Sequence, residues 1–134
     1  MADKKKGFPA KDSKKFTDLL FMTPNVVHAK DIADLFTSGI GLAIELWEEF
    51  NVLELVLPNQ NSIDFEAIDP NFKDPSDLSF VKNRSIQTVF AINLCEEDIP
   101  AMTEYFNQLV DKFSGFVCAD SDDFTPVYAG SSKK

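Results

Sequence analysis

Hydrophobic and polar residues alternate along the chain with two different periods, and each period predicts a different kind of element. The clearest helical pattern runs from Asp98 to Ser114, where apolar residues recur every three or four positions. They are Ile99, Met102, Phe106, Leu109, Val110 and Phe113. Pro100 is tolerated in the first turn and Gly115 can end the helix, so we expect a helix that buries this stripe on a sheet.

Two more helices are predicted before residue 52. In "TPNVVHAKDIADLFTSG", Thr23 is the expected N-cap, Pro24 the first helical residue and Gly39 the stop, which places His28 on a helix surface. In "IGLAIELWEEFN" one predicted helical face is apolar, with Trp47 in the core, and the other is acidic. The apolar positions are Ile40, Ile44, Trp47 and Phe50, and the acidic ones are Glu45, Glu48 and Glu49.

Period-two alternation begins after Asn51 and predicts strands. The runs "VLELVLP" and "SIDFEAID" form a predicted hairpin, in which Asp64 and Glu66 face the side opposite to Ile63 and Phe65. Two further strands are predicted in "SIQTVFAINL" and "FVCADSDDF", while "PNFKDPSDLSFVKN" has the composition of a loop. The segment "FTDLLFM" fits a short helix or a strand.

These elements predict an α+β fold with two layers. We expect a mixed or largely antiparallel sheet of about 4–5 strands, with the helices packed on one face. Residues 16–130 are interpreted as one domain, and the Lys-rich residues 1–15 and the residues 131–134 as disordered tails.

Charge is distributed unevenly along the chain, and this distribution makes some classes of binding partner less plausible than others. Residues 1–15 contain six Lys and two Asp, whereas residues 16–132 contain twenty acids and five bases, a net charge of -15. An acidic body does not favour nucleic acid as its partner, because phosphate binding depends on Lys and Arg. The same negative charge favours a basic protein as the partner. No apolar run is long enough to span a bilayer, so we expect a cytoplasmic protein that does not contact a membrane.

Residue types that perform chemistry are scarce. Cys95 and Cys118 lie in apolar strand patterns and are expected to be buried free thiols, and the single histidine, His28, has no partner at ligand spacing. No nucleophile-elbow, phosphate-loop, zinc-protease or kinase motif occurs. The sequence therefore predicts no catalytic, cofactor-binding or metal-binding residues.

The stretch "DSDDFTPVY" is the candidate site. Asp120 and Asp122 would point to the same side of a strand, with Asp123 joining them at the turn and Tyr128 as an aromatic anchor. Carboxylates next to aromatic rings suit Lys and Arg side chains through charge, hydrogen bonds and cation–π contact. A solvated strand end before Pro126 is the structural alternative.

The whole chain is best interpreted as a small acidic protein-binding module of unspecified oligomeric state. In its size, acidity and lack of catalytic motifs it is similar to bacterial immunity and antidote proteins that neutralise basic toxin domains, a likeness of composition only. One alternative is a small-molecule-sensing or regulatory domain with a pocket lined by Trp47, Met102 and phenylalanines. An uncharacterised hydrolase or metal enzyme is the other, and it would require acids that converge in a cleft.

Overall fold

The computed structural model describes residues 15–37 and 42–130. The strands are β1 Phe16–Thr23, β2 Ala43–Trp47, β3 Val52–Val56, β4 Ser62–Ile68, β5 Thr88–Cys95, β6 Phe116–Ala119 and β7 Val127–Gly130. The helices are α1 Ala29–Phe36, α2 Pro75–Asn83 and α3 Ile99–Phe113, with 3-10 turns at Glu48–Phe50 and Glu96–Asp98. The predicted tails lie outside the described residues, except for Lys15. None of the described helices is long and apolar enough to span a bilayer.

All strands belong to one sheet, in the order β2-β3-β4-β5-β1-β6-β7, and every neighbouring pair is antiparallel. The α+β class and the antiparallel sheet are confirmed. The expected number of 4–5 strands is too low, because the sheet has seven. The two unexpected strands, β2 and β7, form its edges, where a short strand needs only one partner.

Strand β1 lies between β5 and β6, which run parallel to each other and are connected by α3. Both β5 and β6 are antiparallel to β1, so they run in the same direction and the chain must cross the sheet between them. Glu96 N donates a hydrogen bond to Lys15 O at one end of β1, and Thr23 Oγ1 donates to Phe113 O at the other. The two ends of α3 are therefore held at the two ends of β1.

The sheet has a first face, on the side of Leu19 and Phe21, and a second face, on the side of Leu20 and Met22. The first face is covered by α1 and α3, which bury Ile32, Phe36, Met102 and Phe106 against it. The second face is covered in part by α2 and the segment that precedes β7. The expectation that the helices pack on one face is thus wrong, since α2 lies on the opposite side from α1 and α3.

The predicted helix at residues 40–51 is wrong. Ala43–Trp47 is strand β2, and residues 38–41 lie outside the described part of the chain. A stretch of five residues can satisfy both the helical and the strand period. Ile44 and Trp47 are three positions apart, as on a helix, whereas Ile44 and Leu46 are two positions apart, as on a strand. Pairing with β3 decides the outcome, since it packs both side chains against the core cluster of the first face.

Two other helical segments differ from the sequence prediction. One is a helix where a loop was expected, and the other is a helix that begins later than expected. Residues 75–83 are helical rather than a loop, since the Asp74 side chain accepts hydrogen bonds from Ser76 N and Asp77 N and Pro75 is the first helical residue. Helix α1 begins only at Ala29, with His28 as N-cap, because the predicted cap Thr23 belongs to β1.

Helix α3 confirms the clearest sequence pattern. Met102, Phe106, Leu109 and Val110 are buried, while Ile99 and Phe113 are partly buried against the same cluster. Gly115 follows the helix with a φ of +100°, and a Cβ at this position would overlap the backbone oxygen of Met22. The helix therefore ends where only glycine permits the chain to turn back into the sheet.

We predict that Phe106→Ala lowers the free energy of unfolding by about 3 to 5 kcal/mol, as truncation of a buried aromatic does. Phe106 is 0% exposed in the main core cluster. Urea unfolding followed by circular dichroism measures the change. Phe50→Ala is the matched control, because Phe50 is 69% exposed and its loss should change stability little. Equal effects of the two substitutions would show that α3 does not cover the core.

Candidate functional site

Every Asp and Glu on the strands of this sheet belongs to the second face. The seven described strands contain no Lys, Arg or His. Their first-face positions are occupied by core residues such as Leu53, Leu55 and Ile63, so the period-two pleat leaves only the second face for charge. The acids are Asp18, Glu45, Glu54, Asp64 and Glu66.

Most of these acids form one row across the sheet. Strand pairing places Glu45 opposite Glu54, Glu54 opposite Asp64, Asp64 opposite Asn93, and Asn93 opposite Asp18. The row continues beyond β6, because Asp120 N donates a hydrogen bond to Asp18 O. We call the residues Glu45, Glu54, Asp64, Asn93, Asp18 and Asp120 the acidic row, and the row together with Glu66 the acidic face.

Like charges oppose one another along the acidic row. Partial burial raises the pKa of Asp64, and the negative charges of Glu54 and Glu66 raise it further. The pKa of Asp120 is raised in the same way, by burial and then by Asp18 and Asp77. Within residues 15–37 and 42–130 the ion pairs are His28–Asp31, at the start of α1, and Lys30–Asp34, within α1, so no described base forms an ion pair with an acid of this face. The carboxylates are thus held close together at a cost in stability.

Apolar side chains lie next to the acids. Trp47 is 36% exposed and is paired with Val52, which is opposite Glu66 in the next strand. Phe16 is 60% exposed at the start of β1, on the same side as Asp18. The expectation that Trp47 belongs to the core is therefore wrong. An exposed indole beside carboxylates provides a surface for both the charge and the aliphatic part of a cationic side chain.

An open cleft of about 210 Å³ lies at the Asp120 end of the acidic row, between α2 and the sheet. Its walls combine apolar and charged side chains, namely Leu20, Ile68, Phe72 and Phe124 with Lys73, Asp74, Asp77 and Asp120. Partial burial and the charges of Asp74 and Asp122 raise the pKa of Asp77. Three carboxylates against the single base Lys73 leave the cleft with an excess of negative charge, which together with its apolar walls matches the chemistry of a long cationic side chain.

The residues predicted from "DSDDFTPVY" have different environments in the structure. Asp120 lies in both the acidic row and the cleft, and the charge of Asp122 acts on Asp77. Asp123 stabilises its own turn, since its Oδ1 accepts a hydrogen bond of 2.7 Å from Thr125 Oγ1, and this contact lowers its pKa. Tyr128 is half-buried against the first-face core cluster.

The strand predicted over "FVCADSDDF" ends earlier than expected. It stops at Ala119, and residues 120–126 form a turn that inserts the ring of Phe124 between α2 and the sheet. Phe124 is 4% exposed and its ring lies 4.5 Å from that of Phe80. The turn therefore has a structural role in addition to presenting Asp120.

A second acidic cluster lies at the junction of β5 and α3 and has a structural explanation. Ligand atoms of Cys95, Glu97 and Asp98 lie within 4.8 Å of one another. The two carboxylate oxygens of the buried Asp98 accept hydrogen bonds from Asn59 Nδ2 at 3.0 Å and from Asn61 Nδ2 at 2.9 Å. Asp98 thus joins the turn between β3 and β4 to the start of α3.

The residues of the small-molecule-sensing alternative are dispersed, whereas Asp74, Asp77 and Asp120 do converge in one cleft, as the hydrolase or metal-enzyme alternative would require. Met102 is fully buried beneath α3 and Trp47 is on the second face, so the sheet separates them and they do not line one pocket. The predicted burial of both cysteines is confirmed, and no disulfide joins them. Burial raises the pKa of Cys118 to about 12, with a smaller contribution from Asp120, so this thiol is protonated at neutral pH.

Sequence reasoning missed Asp18, Glu45 and Glu54 as site residues, although a signal was present. The segments "AIELW" and "VLELV" each have one acid flanked on both sides by apolar residues, and in "FTDLL" the acid lies two positions after Phe16 and directly before Leu19. In a strand, such an acid must lie opposite the buried face. The helical interpretation of residues 40–51 concealed this common pattern.

Comparison of the chain with protein-family models, curated proteins and solved structures found no match.

We predict that Asp64→Asn raises the free energy of unfolding at pH 7 by about 0.5 kcal/mol, the typical size of a cross-strand pair interaction. The folded-state pKa of Asp64 is raised, so its ionised form destabilises the fold. That cost is fully present above the folded-state pKa and is lost below the ordinary aspartate pKa of 3.8. Urea unfolding at pH 7 and at pH 3 should show the gain only at pH 7.

Glu104→Gln is the control, because Glu104 is an exposed residue of α3 on the other side of the sheet. It should leave stability nearly unchanged at both pH values. A loss of stability in Asp64→Asn at pH 7, or an equal gain at both pH values, would contradict repulsion within the acidic row.

Proposed function

We propose that this protein is a binding module that recognises a basic protein through its acidic face, and that its concrete role is inhibition of the immunity or antidote type. The observation that supports the proposal is the segregation of charge in the sheet. The five Asp and Glu residues of the strands all lie on the second face, and the described strands have no Lys, Arg or His.

The cost of the acidic row supports a role in binding. Acids in directly opposed positions repel each other, and the raised pKa values of Asp64 and Asp120 reflect this repulsion together with partial burial. A cationic partner would relieve the repulsion, so part of the favourable energy of binding is already stored in the free protein. A negative field over one face would also accelerate encounter with a cationic target.

The cleft and the exposed aromatic residues provide specificity within this face. Asp74, Asp77 and Asp120 surround an apolar floor at one end, and Trp47 lies near the opposite edge of the sheet. A Lys or Arg side chain in the cleft would bury its aliphatic part and pair its charge with carboxylates. The acidic row between them would hold further cations of the same partner.

We predict that the double substitution Glu54→Gln, Asp64→Asn weakens binding of the partner about tenfold, which corresponds to about 1.4 kcal/mol. The partner is first isolated by affinity capture from the source organism, and its affinity is then measured by calorimetry. The matched control is Glu104→Gln, Asp111→Asn, which removes the same net charge from the exposed side of α3 and should change affinity less than twofold.

Salt dependence provides a second measurement on the same complexes. The wild-type affinity should fall steeply between low and high ionic strength, because screening weakens exposed charge interactions. The Glu54→Gln, Asp64→Asn protein should show a shallower fall. A neutral or acidic partner, or equal losses in the two double variants, would rule out the acidic face as the binding surface.

The residues predicted from the sequence are tested separately. Asp120→Asn should weaken binding more than Asp123→Asn, because Asp120 lies in the row and the cleft while Asp123 hydrogen-bonds within its own turn. The same calorimetric measurement compares them, with a thermal melt to correct for loss of the turn. If Asp123→Asn has the larger effect in a folded protein, the binding surface is the turn itself rather than the sheet.

A further inference from the structure

We propose that the Lys-rich segment formed by residues 3–15 occupies the acidic face of its own chain and competes there with other cations. The segment contains six lysines and two aspartates. The competition with a basic protein partner rests on the proposed function, whereas the docking of the segment is an independent property of the chain.

The segment joins the fold beside the face that it would occupy. Lys15 is fixed at the start of β1, because its backbone oxygen accepts a hydrogen bond of 2.8 Å from Glu96 N. Phe16 follows and is exposed on the second face, and Asp18 of the acidic row is the next residue on that side. A chain that turns back at Lys15 therefore meets Phe16 first and the acidic row directly afterwards.

The segment is long enough to cross the whole row. From β1 to β2 there are four strand spacings in the sheet order, or about 19 Å at about 4.8 Å each. An extended stretch of thirteen residues reaches at most about 45 Å. Lysines of residues 3–15 can thus contact carboxylates from Asp18 to Glu45 even after the chain has reversed direction.

Charge complementarity identifies the segment as the occupant. Of the five bases in residues 16–132, none is on a strand, and none of the described ones forms an ion pair with an acid of the row. Residues 133–134 add only two lysines and follow β7, at the far edge from Glu45. The six lysines before Phe16 are the largest concentration of positive charge in the sequence.

Covalent attachment makes weak contacts sufficient. A segment tethered directly beside its site has an effective concentration on the order of 1 mM or more. Docking with an intrinsic Kd of about 1 mM would therefore occupy at least about half of the molecules. Such an interaction is strongly sensitive to salt, so the segment would yield to a partner that binds more tightly.

Paramagnetic relaxation tests the docking directly. A nitroxide on Ala10→Cys in the full chain should broaden the amide signals of Glu45 and Glu54 more than that of Glu104, which lies on α3 beyond the first face. Conversion of Lys4, Lys5, Lys6, Lys11 and Lys14 to Gln, or addition of 0.5 M NaCl, which shortens the screening length to about 4 Å, should remove this difference. Equal broadening on both faces overturns the proposal.

Mixing labelled and unlabelled chains separates docking within one molecule from docking between copies. If nitroxide-labelled chains broaden isotope-labelled chains that have no nitroxide, a second copy is the occupant and the proposal is overturned. The converse result, broadening only within the labelled molecule, supports it. Lys133→Gln, Lys134→Gln is the control and should leave the broadening unchanged.

Competition with octalysine tests the regulatory consequence and separates it from the proposed function. The full chain with the five Lys→Gln substitutions should bind octalysine at least about twofold more tightly than the wild type, because an internal competitor that occupies at least about half of the molecules is lost. Equal affinities that both depend on Glu54 and Asp64 would overturn the competition and leave the proposed function intact. Affinities independent of Glu54 and Asp64 would contradict the proposed function, while the relaxation experiment still decides the docking.

Discussion

Burial of one face of the sheet is the constraint on which the rest of the structure depends. The first face packs against α1 and α3 and contains only residues that the core accepts, such as Leu19, Leu53 and Phe65. A shift of one residue in any strand that has an acid would move that acid into the core. An unpaired carboxylate there costs several kcal/mol, so the acids themselves help to fix the register of the sheet.

The same constraint concentrates negative charge on the other face. Once the core has excluded charge from the first face, strand pairing places Glu45, Glu54 and Asp64 in directly opposed positions. Repulsion between these carboxylates costs little free energy of folding, because the second face is open over these strands and water screens the charges. The acidic face is thus a consequence of the fold. It provides a surface that a cationic partner, or the Lys-rich segment of the chain, could bind.

Helix α2 divides the second face into two regions. Near the Met22 end of β1, α2 and Phe124 cover an apolar area that includes Val89 and Cys118. The remaining area holds the acidic row, and the cleft lies at the boundary, where Phe72 and Asp120 meet. The combination of an apolar floor and an acidic rim exists because this helix covers only part of the sheet.

Several features could be predicted from the sequence, because they depend on local pattern alone. The stripe of α3, the alternation of Asp64 and Glu66 with Ile63 and Phe65, and the burial of the cysteines all follow from spacing and composition. Local pattern also predicted an acidic body with a basic N-terminal segment. It could not distinguish helix from strand in Ala43–Trp47, because five residues satisfy both periods.

Only the tertiary structure decided which charges lie together. Asp18 is far from Glu45 and Glu54 in the sequence, and each of the three looks like an ordinary solvated acid on its own strand. The pairings of β2 with β3, β3 with β4, β4 with β5 and β1 with β5 bring them into one row, and the last of these joins segments that are distant in the sequence. The sequence by itself determined that charge must avoid the core, and the order of strands in the sheet determined where that charge is concentrated.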